Sequence, residues 1–320
     1  MFGSLFDAWR DPLRFTEGLA RDYGDIASYR IGTYTGYLLN HPDHVRHVLQ
    51  RNHDNYSKQN YHFKMIKPVV GEGLLTSDGE HWLQQRRLIQ PVFHRRRINR
   101  FSSTTTRAAL EMVQAWEPAA RSGQPVDVAH EMMRLALRIV GEAVFSIDIS
   151  SEAGRVGRAF ATLNKDVAFR LRTVFVPPHW VPTPRNIAFR RARAELDNVV
   201  GEIIASRRRT SDPGDDLLGM VLASSNEAPE TSMTEELIRD EVMTLLLAGY
   251  ETTASLLAWT WYLLMTHPET EDALHQELDA VLGGRAPDVE DFPALDYTER
   301  VILESMRLFP PVWITSRIAT

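Results

Sequence analysis

Apolar positions in this chain recur at intervals of three and four from Gly79 onward, and at intervals of two only near its start. Five windows carry the helical spacing: Trp82 to Phe93, Ser102 to Trp116, Val126 to Phe145, Glu152 to Phe169, and Ile187 to Arg209. Each turns one apolar stripe toward a core, so a helix is predicted over each. Ahead of them, "GDIASYRIGTYTGYLLNHPDHVRHVLQ" at 24–50 holds two short runs rich in Tyr, Ile and Thr, with a turn at Gly32 to Gly36 and a helix opening at "HPDH". That stretch predicts a small hairpin followed by a helix.

Punctuation separates the windows. "VPPHWVPTP" at 176–184 and "TSDPGDD" at 210–216 are too rich in Pro, Gly and Asp to continue a helix. "SMTEELIRDEVMTLLL" then opens with Ser232 and Glu235 at capping-box spacing. A helix is predicted from near Met233 to about Met265, stopped by His267-Pro268. At about 1.5 Å per residue it spans roughly 50 Å and crosses the whole domain. Two further helical runs follow, one closed by Gly283-Gly284 and one, "YTERVILESMRLFPP", by Pro310-Pro311. No internal repeat or low-complexity segment interrupts the chain, so residues 1–320 read as one mainly α domain with a small β-sheet near its N-terminus.

Composition narrows the class. The 320 residues are 43% hydrophobic and 24% charged, which suits a globular protein with a large core. A net charge of −6 leaves no footprint for nucleic acid. There is no cysteine, which excludes disulfides, thiol nucleophiles and thiolate metal sites within these residues. Eleven histidines are scattered without ligand spacing, so no metal site is assigned. No secretory or transit pattern opens the chain, giving a cytoplasmic expectation. Glu251 splits the one candidate membrane span, Val242 to Thr266, so a buried helix is expected there rather than a span.

Within that helix, "LLLAGYETTASLL" at 245–257 places a glycine, a glutamate and two threonines among apolar residues, each of which weakens a helix interior. Ala248 and Thr252 share a face one turn apart, and Gly249 leaves a notch beside them that suits a flat or diatomic ligand. Thr252 can bond back to the carbonyl of residue 248, and Glu251 supplies a carboxylate able to relay protons. The plainer alternative is a packing glycine and a satisfied threonine in a crowded core. A second constellation is Trp82 and Arg86, whose indole N–H and guanidinium share a helix face and could donate to one carboxylate. The same spacing recurs at Trp313 and Arg317, and Trp on an Arg stem is also common surface packing. The third is Glu304 and Arg307, whose E-x-x-R spacing also occurs at Glu131/Arg134, Glu152/Arg155 and Glu236/Arg239 and is usually a surface salt bridge.

In this order, W-x-x-x-R at Trp82 and Arg86, A-G-x-E-T-T at Ala248 to Thr253, and E-x-x-R at Glu304 and Arg307 resemble the cytochrome P450 family, of the soluble bacterial type. The resemblance implies the P450 fold, with haem as cofactor and O₂ as co-substrate. It implies that Ala248 and Gly249 lie over the haem, that Thr252 and Glu251 steer protons, and that Trp82, Arg86 and Arg317 bind the haem propionates. Arg317 is expected to end a strand, and Glu304 and Arg307 to form a buried structural pair. The basic run "HRRRINR" at 94–100 would lie on the side that accepts electrons from a ferredoxin or flavin reductase. The expected activity is insertion of one oxygen atom into an apolar small molecule by a monomer. The family holds its iron with a cysteine thiolate in a loop beyond the E-x-x-R helix, which donates the electron density that favours O–O cleavage. This sequence stops at Thr320 without a cysteine, so the expectation is a P450 incomplete at its C-terminus. The alternatives are a truncated haem- or lipophile-binding protein without turnover, and a helical interaction protein.

Overall fold

A computed structural model describes residues 5–31, 34–173, 176–209, 216–224 and 233–320; some helical side chains, including those of Arg95, Arg96, Arg97, Ile98 and Arg100, fall outside that description. Helices dominate, as the apolar spacing predicts. The longest runs Glu235–Thr266 and is called the central helix below. Ser232 lies outside the described residues; the cap is Thr234, whose side chain accepts from the Leu237 N–H at 3.2 Å. Glu235 and Glu236 add favourable charge to the first turn.

The front half of the central helix runs along the helix Val128–Phe145 and crosses Pro184–Arg209, on which Ala153–Arg172 packs in turn. Ile238, Val242, Met243, Leu246 and Tyr250 are fully buried there, with Leu137, Val156, Leu196 and Val200 facing them in the same core. Burial of each such side chain contributes about 1.5–3 kcal/mol, which outweighs the weak helix propensity of the polar residues between them. No described helix is long and apolar enough to cross a membrane.

Past Ala254 the cover thins, and Leu264 is the one side chain of the remaining stretch that stays buried. Trp259, Trp261, Tyr262 and Met265 are exposed, and of the helices Pro268–Leu282 and Asp296–Leu308 that follow, Ser305 is the buried residue. Trp259 stacks on Phe309 with ring centres 4.0 Å apart and meets the edge of Tyr262 on its own helix at 5.6 Å.

The hairpin near the N-terminus pairs Ile26–Ile31 with Tyr34–Leu39, antiparallel. Gly36 therefore sits inside the second strand opposite Tyr29, and not in the turn expected at Gly32 to Gly36. Its missing side chain has a packing reason: a Cβ there would collide with the Tyr29 ring. His41 caps the helix Pro42–Arg46, in agreement with the "HPDH" signal. A second antiparallel pair, Tyr56–Ser57 with Ile318–Ala319, ties the end of the chain to its first quarter, and Thr320 N–H donates to the Asn55 carbonyl at 3.1 Å. The sequence pattern did not reveal this pair, because two-residue strands carry no periodicity.

The helix Tyr61–Val70, capped by Asn60, leads into a loop at 71–78 that is fastened to the central helix. Glu72 N–H donates to Asp240 Oδ2 at 2.7 Å, and Leu74 N–H to Glu241 Oε2 at 3.1 Å. Gly71 is needed at φ 72°, since any side chain there would strike the Asp240 carboxylate. From this loop the helix Gly79–Ile89 departs, carrying Trp82 and Arg86.

Candidate active site

Two groups of residues carry chemistry, and the loop at 71–78 connects them. The first lies midway along the central helix. Ala248 is exposed and Thr252 half-buried one turn on, so this face of the helix is open. The Thr252 hydroxyl donates to the Ala248 carbonyl at 2.6 Å, the back-bond anticipated from the sequence. Glu251 is half-buried and accepts from Asn164 Nδ2 at 3.0 Å. Burial pushes its carboxyl above the ordinary range, against the opposing effect of the Asn164 bond.

Gly249 departs from expectation. A Cβ at this position would meet Val140 Cγ2 on the neighbouring helix at 2.7 Å, so the missing side chain permits close helix packing and does not form the notch. Gly249 points to the Val128–Phe145 helix and so adds nothing to the open surface at Ala248.

The second group is cationic. Arg86 lies over the Trp82 ring with its guanidinium carbon 5.0 Å from the centroid, and Lys58 Nζ approaches the same ring at 5.3 Å. Arg317 lies 5.6 Å above the Phe63 ring, brought there by the pairing of Tyr56–Ser57 with Ile318–Ala319. It immediately precedes that strand, where the sequence reading had it ending one. Among the described residues neither the Trp82 indole N–H nor the Arg86 guanidinium has a hydrogen-bond acceptor. Lys58 Nζ donates to the Leu74 carbonyl at 3.1 Å. Burial drives the Lys58 ammonium down to about 8, Arg317 and Arg86 push the same way, and Asp78 and Glu241 oppose them. Burial also lowers Arg317. Asp78 accepts from the Ser57 hydroxyl and from Lys58 N–H at 2.9 Å, and these bonds hold its carboxyl low despite partial burial.

Glu304 and Arg307 make two bonds, at 2.7 and 2.6 Å, yet both are exposed, with 55% and 67% of their side chains accessible. The expected buried pair is therefore a surface pair in this chain, because no other described element covers that face of the Asp296–Leu308 helix. Glu131/Arg134 and Glu152/Arg155 form the same three-residue contact, so the spacing alone marks helix geometry. A shallow cleft of about 550 Å³ between Thr106, Leu110 and Pro287 holds none of the residues named above.

Three contributors escaped the sequence reading. Lys58 and Asn164 lie outside the motifs, and Glu241 sits two turns before one of them; all three reach their partners through tertiary contacts. Only Glu241 carried a signal, as an acid inside the buried run from Ile238 to Leu247.

The family model described as Cytochrome P450 matches residues 1–320. The chain is 39% identical over 316 residues to cyclooctatin synthase of Streptomyces melanosporofaciens, covering 97% of this chain and 67% of that one. It is 34% identical over 319 residues to cyclooctat-9-en-7-ol 5-monooxygenase of the same organism, covering 99% and 68%. Pentalenene oxygenase of Streptomyces avermitilis is 35% identical over 320 residues, covering 99% and 69%. Oxygenases among the relatives disfavour the reading of a binding protein without turnover. With a family match over residues 1–320, relatives at 34–39% identity and a mainly helical fold, the chain belongs to the cytochrome P450 family.

Proposed function

We propose that residues 1–320 contribute the oxygen-side face and the carboxylate anchor of a haem monooxygenase, within a single domain. Lys58, Trp82, Arg86 and Arg317 are donors only, three of them cationic, and Trp82 and Arg86 lack acceptors among the described residues. That donor set fits the two carboxylates of haem. The open Ala248 face fits a flat group lying against it. The remaining requirement, a thiolate on iron, is met by no residue of this chain. Haem, when bound, supplies dioxygen activation.

The chain's own residues handle protons. The Thr252 hydroxyl, held on the Ala248 carbonyl, can turn about χ1 to donate into the open face. Glu251, raised by burial and steadied by Asn164, holds a proton nearer neutrality than an exposed glutamate does. This acid and alcohol beside an unobstructed Ala248 are the observation that carries the reading. The test is Thr252→Ala in the full-length protein. Haem content should stay unchanged, while most reducing equivalents end as hydrogen peroxide instead of product; unaltered coupling of electrons to product removes Thr252 from this role.

The substrate in this reading is largely hydrocarbon and contains an alkene, of the kind denoted by cyclooctat-9-en-7-ol and pentalenene in the relatives' names. Electrons come from a ferredoxin or flavin reductase, docking near residues 94–100. The same reading takes the protein as a cytoplasmic monomer, which cell fractionation and size-exclusion chromatography check.

A further inference from the structure

Glu241 has no part in the proton handling just described, yet it is the most thoroughly buried acid among the described residues, with no surface exposed. It lies two turns before Ala248, about 10 Å along the helix. One oxygen, Oε2, accepts from Leu74 N–H at 3.1 Å; the other, Oε1, is buried without a partner among the described residues. The Leu74 carbonyl is in turn held by Lys58 Nζ at 3.1 Å. A carboxylate on the central helix and an ammonium in the cationic cluster thus grip the two backbone polar groups of a single residue. Leu74 has no freedom to move without disturbing both.

We propose that Glu241 is a positioning residue for the carboxylate anchor: through Leu74 it fixes Lys58 beside Arg86 and Arg317, and its charge keeps the lysine protonated. The inference rests on the reading of that cluster as the haem carboxylate site. Lys58 is crowded by like charge from Arg86 and Arg317 and stripped of water, and only Asp78 and Glu241 counter this. Asp78 is already committed to Ser57 and to the Lys58 backbone. Glu241 faces Asp240, which raises it, and Lys58 and Leu74 N–H, which lower it; burial dominates and lifts it to about 7. Asp240 is itself occupied by Arg239 and Glu72 N–H. Lys58, at about 8, therefore has an ionised Glu241 behind it only above about pH 7.

The experiment follows haem transfer from the full-length protein to apomyoglobin between pH 6.5 and 10, a range chosen to span both groups. Transfer from the wild type should quicken as pH rises and Lys58 loses its proton. Glu241→Gln keeps the shape of the side chain and can still accept from Leu74 N–H. Its transfer should begin to quicken at least about half a pH unit lower, with release up to about two-fold faster near pH 8, while urea unfolding of the haem-free protein shows no loss of stability. Lys58→Met should release haem fast at every pH, with the limb abolished; it leaves Glu241 in place and decides the matter if Glu241→Gln does not fold. Arg86→Met tests the underlying site. If Arg86→Met speeds release but Glu241→Gln and Lys58→Met leave the pH profile of the wild type, the positioning role is wrong and the anchor stands. If Arg86→Met and Lys58→Met both leave release unchanged, the anchor reading itself falls. A parallel drop in haem-free stability and haem retention in Glu241→Gln, with the limb unmoved, makes the residue merely structural and overturns the proposal.

Discussion

The central helix is one apolar element by its sequence, but its two halves have different surroundings. From Ile238 to Ala254 its apolar side chains pack against the helices Val128–Phe145 and Pro184–Arg209, with the face at Ala248 left open, and Leu246 has no exposed surface. From Trp259 to Met265 most side chains face outward, with Leu264 still buried, and Met265 is 71% exposed. The neighbours of the second half show the same habit: Ile302, Leu303 and Met306 on Asp296–Leu308 are exposed, as are Val312 and Trp313 after it. Together these side chains form an apolar face that no other described element covers. An apolar stripe states that a face gains by burial; whether a partner is there to bury it is settled elsewhere in the chain.

The strongest way to break this comparison is truncation on each side. Leu246→Ala should lower stability by about 3 kcal/mol through lost transfer energy and a cavity, whereas Met265→Ala should stay within about 0.5 kcal/mol. Urea unfolding of both variants checks the contrast, and equal losses erase it.

Acids of the packed region and of the open helix Asp296–Leu308 titrate in opposite directions. Burial raises Glu241 to about 7 from 4.5, while Arg307 holds the exposed Glu304 below the usual range. The folded protein therefore binds a proton at Glu241 that the unfolded chain has released. The stability this provides is complete below about pH 4.5 and is lost as pH rises through about 7. Relative to Glu241→Gln, the wild type should lose on the order of 2 kcal/mol across that window. A constant difference between the two proteins from pH 4.5 to 8 contradicts the burial of an ionisable carboxyl at this position.

The smallest of these effects concerns glycine. Gly249→Ala forces a methyl against Val140 and should cost about 1–2 kcal/mol. Gly201→Ala, in the Pro184–Arg209 helix with nothing within 4 Å of the new methyl, should instead stabilise by about 0.5–1 kcal/mol. Thermal unfolding of the pair resolves opposite signs, and a gain at Gly249 restores the open notch that the sequence suggested.

By itself the sequence determined the helices, their order, the long central element and the local chemistry of Thr252 with Ala248. Those follow from apolar spacing, caps and bonds within one turn, all of which are short-range properties of the chain. It also placed Trp82 beside Arg86, since four-residue spacing on a helix leaves them little choice. Only the tertiary structure decided that Gly249 serves Val140, that Glu304 and Arg307 lie exposed, and that Arg317 comes near Lys58 across more than two hundred residues of chain. It alone joined Glu241 to Lys58 through the backbone of Leu74. The reason is physical: burial and charge pairing depend on which surfaces meet, and neither periodicity nor motif spacing encodes the meeting of distant surfaces.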